Sequence, residues 1–424
     1  MSVVISELFA REILDSRGRP TVEAELALSD GTRVTASVPS GASTGRHEAV
    51  ELRDGDRARY QGRGVLGALA AVNGEIADLL IGREPAQRAV DGALCRLDGS
   101  PGKSRLGANA ILAVSLAVAR AAATSGGVAL WDHLADGGPV TLPVPMVNII
   151  SGGLHAGRQL DFQDFLVIPV GAESFARALE LVVAVHNATG AVLEARGLST
   201  LKADEGGYGP ALAGNREALA LLDEAVAAAG LRPHERIVYA LDVAATHFFQ
   251  EGDGSYRLAS EHRVLDADGL TDYIAELAGA HPIVSVEDPL AEDDWKAWTR
   301  FTERLGGDLQ IVGDDLFTTN IQRLERGIAE HAANAVLVKM NQIGTITETL
   351  DVVARAREAG FRTVISARSG ETEETALADL AVATAAGQIK IGSVTQTDRL
   401  AKYNELLRIE ERLGEQAVLA AWTP

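Results

Sequence analysis

Residues 1 to about 60 alternate apolar and polar positions with a period of two. In "TVEAELALSDGTRVTASVP", Val22, Ala24, Leu26 and Leu28 fall on one face and "SDG" marks a turn, which predicts antiparallel strands. From there to about residue 133 the pattern becomes helical and alanine-rich, most clearly over 108–123. The stretch "LADGGPVTLPVPMVNIISGG" carries Pro139, Pro143 and Pro145 among several glycines, so we place a domain boundary there, with a first unit over 1–133 and a second over 140–424. Beyond it, short β-branched runs alternate with helical ones to the end: "IVYALD", "PIVSVED", "LQIVGDD", "NAVLVKM", "RTVISA" and "GQIKIG". Strand and helix alternating over nearly 300 residues predict a parallel α/β domain, and a barrel suits that length better than an open sheet. The expected fold class is therefore α/β, an α+β unit followed by a barrel.

Each of these runs ends on a charge. Asp242, Glu287, Asp314, Lys339, Arg368 and Lys390 follow one another at intervals of roughly 30 residues, the size of one strand–helix unit. Placed at the carboxyl ends of successive barrel strands, all six would meet at one mouth, where barrel chemistry is done. Each also has a structural reading: an Asp or Glu after a strand caps the next helix, and an arginine forms an ion pair. Lysines inside "VLVKM" and "QIKIG" are harder to place without an anion to meet them.

Composition limits the partners. The 424-residue chain has 59 acidic and 39 basic residues and a formal net charge of -20, which repels nucleic acid and anionic membrane surfaces. We expect neither as a partner. An anionic substrate would need a local metal or basic cluster. The single cysteine, Cys95, forms no internal disulfide and suits a reducing compartment, while Glu7, Arg11 and Glu12 interrupt any signal-peptide core. The apolar run "ANAILAVSLAVARAAA" reads as too short to span a bilayer. A cytoplasmic location is expected.

Three converging carboxylates need a cation, and hard oxygen ligands suit Mg²⁺ rather than zinc. Two lysines beside it suggest one that stays charged and one lowered in pKa to act as a base. Arg368 with Ser369 then forms an anion grip suited to phosphate. Loops add further candidates: Asp204 and Glu205 in "KADEGGYGP", Ser43 in the Gly/Ser loop "VPSGASTGRHEA", which reads as a linker or a lid, and His155, Gln163 and Asp164 in "ISGGLHAGRQLDFQDF".

The motifs "SGASTGRHEA", "GGLHAG", "DEGG", "LDVAA", "SVEDPLAEDDW", "IVGDDL", "VKMNQIGT", "RSGETEE", "GQIK" and "RLAKYNELLRIEE" occur in the order and spacing of the enolase family, which the chain resembles over essentially its whole length. The resemblance implies an N-terminal α+β domain and an eight-stranded barrel whose first units are irregular. It also implies the enolate mechanism general to that superfamily, with a Lys or His base and one or two Mg²⁺. Carried over by position, Asp242, Glu287 and Asp314 resemble the ligands of a first Mg²⁺, and Ser43 a lid ligand of a second that arrives with substrate. Lys339 resembles the base at C2 and Lys390 the partner of the substrate carboxylate. Glu205 resembles the acid at C3, with His155 and Asp164 beside it, while Arg368, Ser369 and Gln163 are expected around the substrate. The implied substrate is a small phosphorylated carboxylic acid, and the implied assembly a homodimer or larger ring.

The departures from the family pattern are specific. Ala367 stands where the family has His, in "SARSG", and Asp164 stands for Glu, withdrawing a carboxylate by one bond, ~1.5 Å. A displacement of about 1 Å can cost roughly 100-fold in rate. Ser151 replaces Asn, Ala203 replaces Gly, His247 replaces Glu, and "IGSVTQTDR" replaces a Thr-Gly-Ala-Pro-Ala-Arg-Ser-Glu-Arg pattern. Three functions remain open at this stage. They are an enolase acting on 2-phosphoglycerate, a paralogue resembling the carboxyphosphonoenolpyruvate synthases of phosphonate biosynthesis, and a non-catalytic binding protein on the same scaffold.

Overall fold

The computed structural model describes residues 2–42 and 45–422. Strands β1 (Ile5–Leu14), β2 (Pro20–Leu28) and β3 (Arg33–Ser37) form an antiparallel meander in that order. The alternation in the sequence is the reason for its two faces. Val22, Ala24 and Leu26 are fully buried, while Glu23 and Glu25 on the opposite face pair with Arg11 of β1. The buried face packs on the helix Ala108–Ser125, whose small alanines let it lie close to the sheet. That helix is 18 residues long, so by length and composition it could cross a bilayer, contrary to the shorter span read from sequence; the same holds for Phe175–Ala195. In the fold, 78% of the first and 50% of the second is buried against protein.

The rest of the chain closes a barrel. Its strands are β4 (Val144–Ser151), β5 (Asp164–Ile168) and β6 (Val238–Asp242), then, after a small sheet of β7 (Phe249–Gln250), β8 (Ser255–Leu258) and β9 (Arg263–Leu265), β10 (Ile283–Glu287), β11 (Gln310–Gly313), β12 (Ala335–Val338), β13 (Arg362–Ser366) and β14 (Gly387–Gly392). The closed order is β10-β11-β12-β13-β14-β4-β5-β6. All neighbours are parallel except β5, which runs against both β4 and β6. Two helices, Phe175–Ala195 and Asn215–Ala228, separate β5 from β6, which is the irregular beginning of the barrel.

Strand parity decides what reaches the mouth. Ala240, Val312, Leu337 and Val364 fill the barrel interior in one cluster with Val144, Met146 and Leu166. The residue two positions on from an inward residue also points inward. That step gives Asp242, Asp314, Lys339 and Ser366, and a further step on β13 gives Arg368. On β10 and β14 the inward Ser285 and Gln388 join Gln310 in a buried amide–hydroxyl network, with Gln310 Nε2 donating to Gln388 Oε1 at 2.8 Å and to Ser285 Oγ at 3.1 Å. Glu287 and Lys390 lie two residues beyond them. The two units meet next to this mouth, where Ser40 and Gly370 exchange backbone hydrogen bonds of 2.8 and 2.9 Å.

Candidate active site

All six strand-end charges meet at one end of the barrel, five of them buried and Lys339 half-buried. Lys390 Nζ lies 2.7 Å from Asp242 Oδ2 and 2.6 Å from Glu287 Oε2, so one ammonium bridges two carboxyls. Burial alone would lower its pKa, but those two carboxyls hold it well above the ordinary value. Burial, reinforced by Asp242, raises the Glu287 carboxyl well above its usual range despite Lys390. Lys339 Nζ lies 2.5 Å from Asp314 Oδ2, and Gln342 Nε2 donates to Asp314 Oδ1 at 2.7 Å. Burial works against the Lys339 ammonium, yet Asp314 raises its pKa above that of an ordinary lysine. The expectation of a lysine already lowered for base duty therefore does not hold for this arrangement: the ion pair with Asp314 outweighs the neighbouring cations.

Behind Asp314, Asp288 accepts the backbone N–H of Asp314 at 2.9 Å and of Asp315 at 2.8 Å, which fixes the turn after β11. Burial and mutual repulsion raise the carboxyls of Asp288 and Asp315 well above their usual range. Among the described residues, ligand atoms fall within 4.8 Å of one another in two clusters, Asp288–Asp314–Asp315 and His155–Asp164–Glu205. Buried carboxyls around the mouth outnumber buried cations, and their hard oxygens are the donor set a small divalent cation takes.

The reversed strand β5 brings its first residue, not its last, to this end. Asp164 is in register with Asp242 on one side and Ser151 on the other. Its Oδ1 accepts from Asn148 Nδ2 at 2.5 Å and Ser151 Oγ at 3.0 Å, and its Oδ2 meets His155 Nδ1 at 3.1 Å. His155 Nε2 lies 3.8 Å from Glu205 Oε1. Burial disfavours the imidazolium, but Asp164 and Glu205 outweigh it and hold its pKa up at about 9. Glu205 is lowered: burial pushes it up, and His155 with Arg399 and the two lysines pull it down further. Burial raises the Asp164 carboxyl as well, against the pull of His155, so a proton is held on the His155–Asp164 pair while Glu205 stays charged. Gln163 Nε2 donates to Asp242 Oδ2 at 3.1 Å, tying this cluster to the strand-end charges.

Arg368 presents its guanidinium to Glu48 of the N-terminal unit, Nη1 to Oε2 at 2.9 Å and Nη2 to Oε1 at 3.1 Å, and Nη1 also reaches Asn341 Oδ1 at 2.9 Å. Ser369 Oγ accepts from Ala42 N at 2.7 Å and from Arg17 Nη1 at 3.1 Å. Ser43 lies outside the described residues. A narrow cavity of ≈ 20 Å³ opens between these groups, with His155, Glu205, Asp242, Lys339, Arg368 and Lys390 on its walls and Ala367 beside Arg368. Asp164 is behind His155 and not on that wall.

Several groups that shape the site were not singled out from sequence. Glu48, Asn341, Gln342 and Asp288 all sit inside stretches already quoted, "TGRHEA", "VKMNQIGT" and "SVEDP", one to three positions from a singled-out residue or in the lid loop. Arg399 is shared by two quoted stretches, "IGSVTQTDR" and "RLAKYNELLRIEE", but is far along the chain from the loop it serves. It donates to the backbone oxygens of Arg368 at 2.6 Å, Ile391 at 2.8 Å and Ser369 at 2.8 Å, and so fixes the Arg368–Ser369 loop.

An eight-stranded barrel whose mouth gathers two lysines, an arginine and a set of buried carboxyls around one polar cavity defines a lyase of the enolate-forming kind. Residues 5–134 match the family model of the enolase N-terminal domain, and residues 139–423 match that of the enolase C-terminal TIM barrel domain. A curated protein of Mycobacteroides abscessus named Enolase is 55% identical over 418 residues, covering 98% of this chain and 96% of that protein. The chain belongs to the enolase family, and it is an enzyme of the enolase type, a hydro-lyase.

Proposed function

We propose that the protein interconverts 2-phosphoglycerate with phosphoenolpyruvate and water, using Mg²⁺ at the barrel mouth. The observation that carries this reading is the pairing of Lys339 with Asp314 and of Lys390 with Asp242 and Glu287 around a cavity that Arg368 also lines. In this reading Lys390 faces the substrate carboxylate, and Arg368, Ser369 and Gln163 orient the phosphate end. Lys339 removes the proton from C2 as the neutral amine, which requires that Asp314 be drawn off it and that its ammonium first release a proton to solvent. Glu205 delivers a proton to the hydroxyl leaving C3, replenished from the His155 imidazolium that Asp164 orients. The C3 hydroxyl leaves as water with the proton from Glu205, which took it from His155, and the C2 proton stays on Lys339 until it is released to solvent and His155 is reprotonated from solvent, so one turnover loses one water net.

The donor set fits Mg²⁺. Asp242, Glu287 and Asp314 would hold the first ion, and Ser43 would join a second brought by the substrate phosphate. Bound there, the metal stabilises negative charge as it develops on the substrate carboxylate. We further propose units divided as 1–133 and 140–424, a homodimer or larger assembly, and a cytoplasmic location, consistent with the single cysteine and acidic composition.

Ala367 favours a second reading. A methyl group in place of an imidazole widens the cavity beside Arg368, as a phosphonate-bearing analogue would require. The deciding measurement is phosphoenolpyruvate formation from 2-phosphoglycerate, followed by ultraviolet absorbance with Mg²⁺ and with chelator, for the wild type beside Ala367→His. Mg²⁺-dependent turnover by the wild type is expected. Silence of the wild type, with turnover of a phosphonate analogue instead, would transfer the assignment to the second reading.

A further inference from the structure

A second pocket lies beside the catalytic cavity and shares no lining residue with it. It spans ≈ 630 Å³, part of it open solvent, between the loop that carries His155 and the segment from His247 to Ala259. The turn Gly153–Ala156 is the wall between the two: Gly153 and Leu154 face the second pocket while His155 faces the first.

The second pocket is lined by two arginines with little to neutralise them. Arg158 is exposed and makes no ion pair among the described residues. Arg257 reaches only Asp253, at 3.4 Å, with both side chains more than half exposed. His247 Nδ1 is buried with no hydrogen-bond partner. The carboxylate on the wall, Asp161, is already taken by Ser260 Oγ and by the backbone N–H groups of Ala259 at 2.7 Å and Ser260 at 3.2 Å. Two guanidinium groups and the His247 ring thus line one half-open space in a chain whose net charge is -20, with the unpartnered Nδ1 buried just behind its wall. Guanidinium groups with an added N–H donor match the oxygens of a tetrahedral anion. His247 is also one of the positions where the chain departs from the family's Glu; a carboxylate there would repel what Arg158 and Arg257 attract.

We propose that this pocket is a second oxyanion site, separate from the catalytic cavity, that takes a phosphoryl dianion against the outer face of the His155 turn. The site stands whether or not 2-phosphoglycerate is the substrate. Its occupant is either free inorganic phosphate or a second molecule of a small phosphorylated acid, and the shared chemistry is the phosphoryl group. Because His155 is on the turn that walls both pockets, filling one changes the affinity of the other, and the coupling is reciprocal.

Isothermal titration of the full chain with inorganic phosphate in Mg²⁺ buffer tests it, with the wild type beside Arg158→Ala and His247→Gln. One class of phosphate site is expected to weaken by about tenfold or more in each variant, the loss of one charge-assisted or buried hydrogen bond. Turnover by Arg158→Ala stays unchanged. A parallel titration with 2-phosphoglycerate separates the two sources: displacement of phosphate from the Arg158-dependent class identifies the phosphorylated acid, and its absence identifies free phosphate. Binding curves identical in all three proteins would overturn the proposal. Failure of the proposed function is distinguishable, because it removes the class that survives Arg158→Ala and leaves the Arg158-dependent class in place.

Discussion

Replacing Lys390 with methionine removes one ammonium from two buried carboxyls while keeping the length and apolar stem of the side chain. The side chains of Lys390, Asp242 and Glu287 are 7%, 4% and 4% exposed, so water cannot take over the lost contacts. Removing one partner of a buried pair costs about 3–5 kcal/mol. Here both carboxyls lose the same cation, which puts the expected loss at pH 8 near the top of that range, about 5 kcal/mol. Glu287 provides relief at lower pH. Its pKa is raised in the folded state, and in the variant it rises further, so as pH falls it takes up a proton and one of the two opposed charges disappears. The loss should shrink to about 2 kcal/mol at pH 5. For 424 residues, an unfolding entropy of about 0.9 kcal/mol per kelvin converts these into falls in Tm of about 5 °C and about 2 °C. Thermal unfolding followed by circular dichroism, in chelator so that no divalent ion replaces the ammonium, reads both. A variant within 1 °C of the wild type at pH 8, or one that loses more at pH 5 than at pH 8, would refute the reasoning.

Other outcomes follow from the same charges and packing. The His155 imidazolium, held up to about 9 against an ordinary 6.5, contributes stability that is fully present below 6.5 and is lost as pH rises through 9. Turnover should fall with an apparent pKa near 9, and Asp164→Asn should move that limb down by about a unit or more in a pH–rate profile; an unmoved limb would exclude Asp164 as its cause. Burial, with Glu405 nearby, raises the Asp379 carboxyl to about 7. Stability is therefore lost as pH climbs from the ordinary carboxyl range through 7. Asp379→Asn keeps the oxygen that accepts the Trp131 backbone N–H at 3.2 Å, and should stabilise the protein by roughly 2 kcal/mol at pH 8 and little at pH 4, checked by denaturant titration at both. In Gly370→Ala the new methyl would sit 2.5 Å from Arg17 Nη2 and 2.7 Å from its Nε. Crowding of that kind costs about 1–3 kcal/mol and loosens the Ser40–Gly370 bridge. Limited proteolysis near Ser40 should quicken, and an unchanged digestion pattern with an unchanged Tm would show that the bridge absorbs the methyl.

Much of this protein was legible in the sequence for a physical reason: a strand–helix unit is local. Each barrel strand is a short apolar run, its last residues are identifiable, and a charge there is conspicuous, so Asp242, Glu287, Asp314, Lys339, Arg368 and Lys390 could be assigned to one mouth from spacing alone. The family motifs were equally local, each a few adjacent residues. What only the tertiary structure decided is non-local. The reversal of β5 puts the beginning of that strand at the mouth, and with it Asp164 behind His155. Barrel closure sets which charges meet: Lys390 bridges Asp242 and Glu287, 148 and 103 residues away in sequence, and Arg368 is held by Glu48, 320 residues away. Those pairings set the protonation states, raising Lys339 where spacing suggested a lowered base. A charge's position along a strand is written in a few neighbouring residues, but its partner depends on register and closure across the whole chain, and in a buried site the partner sets the chemistry.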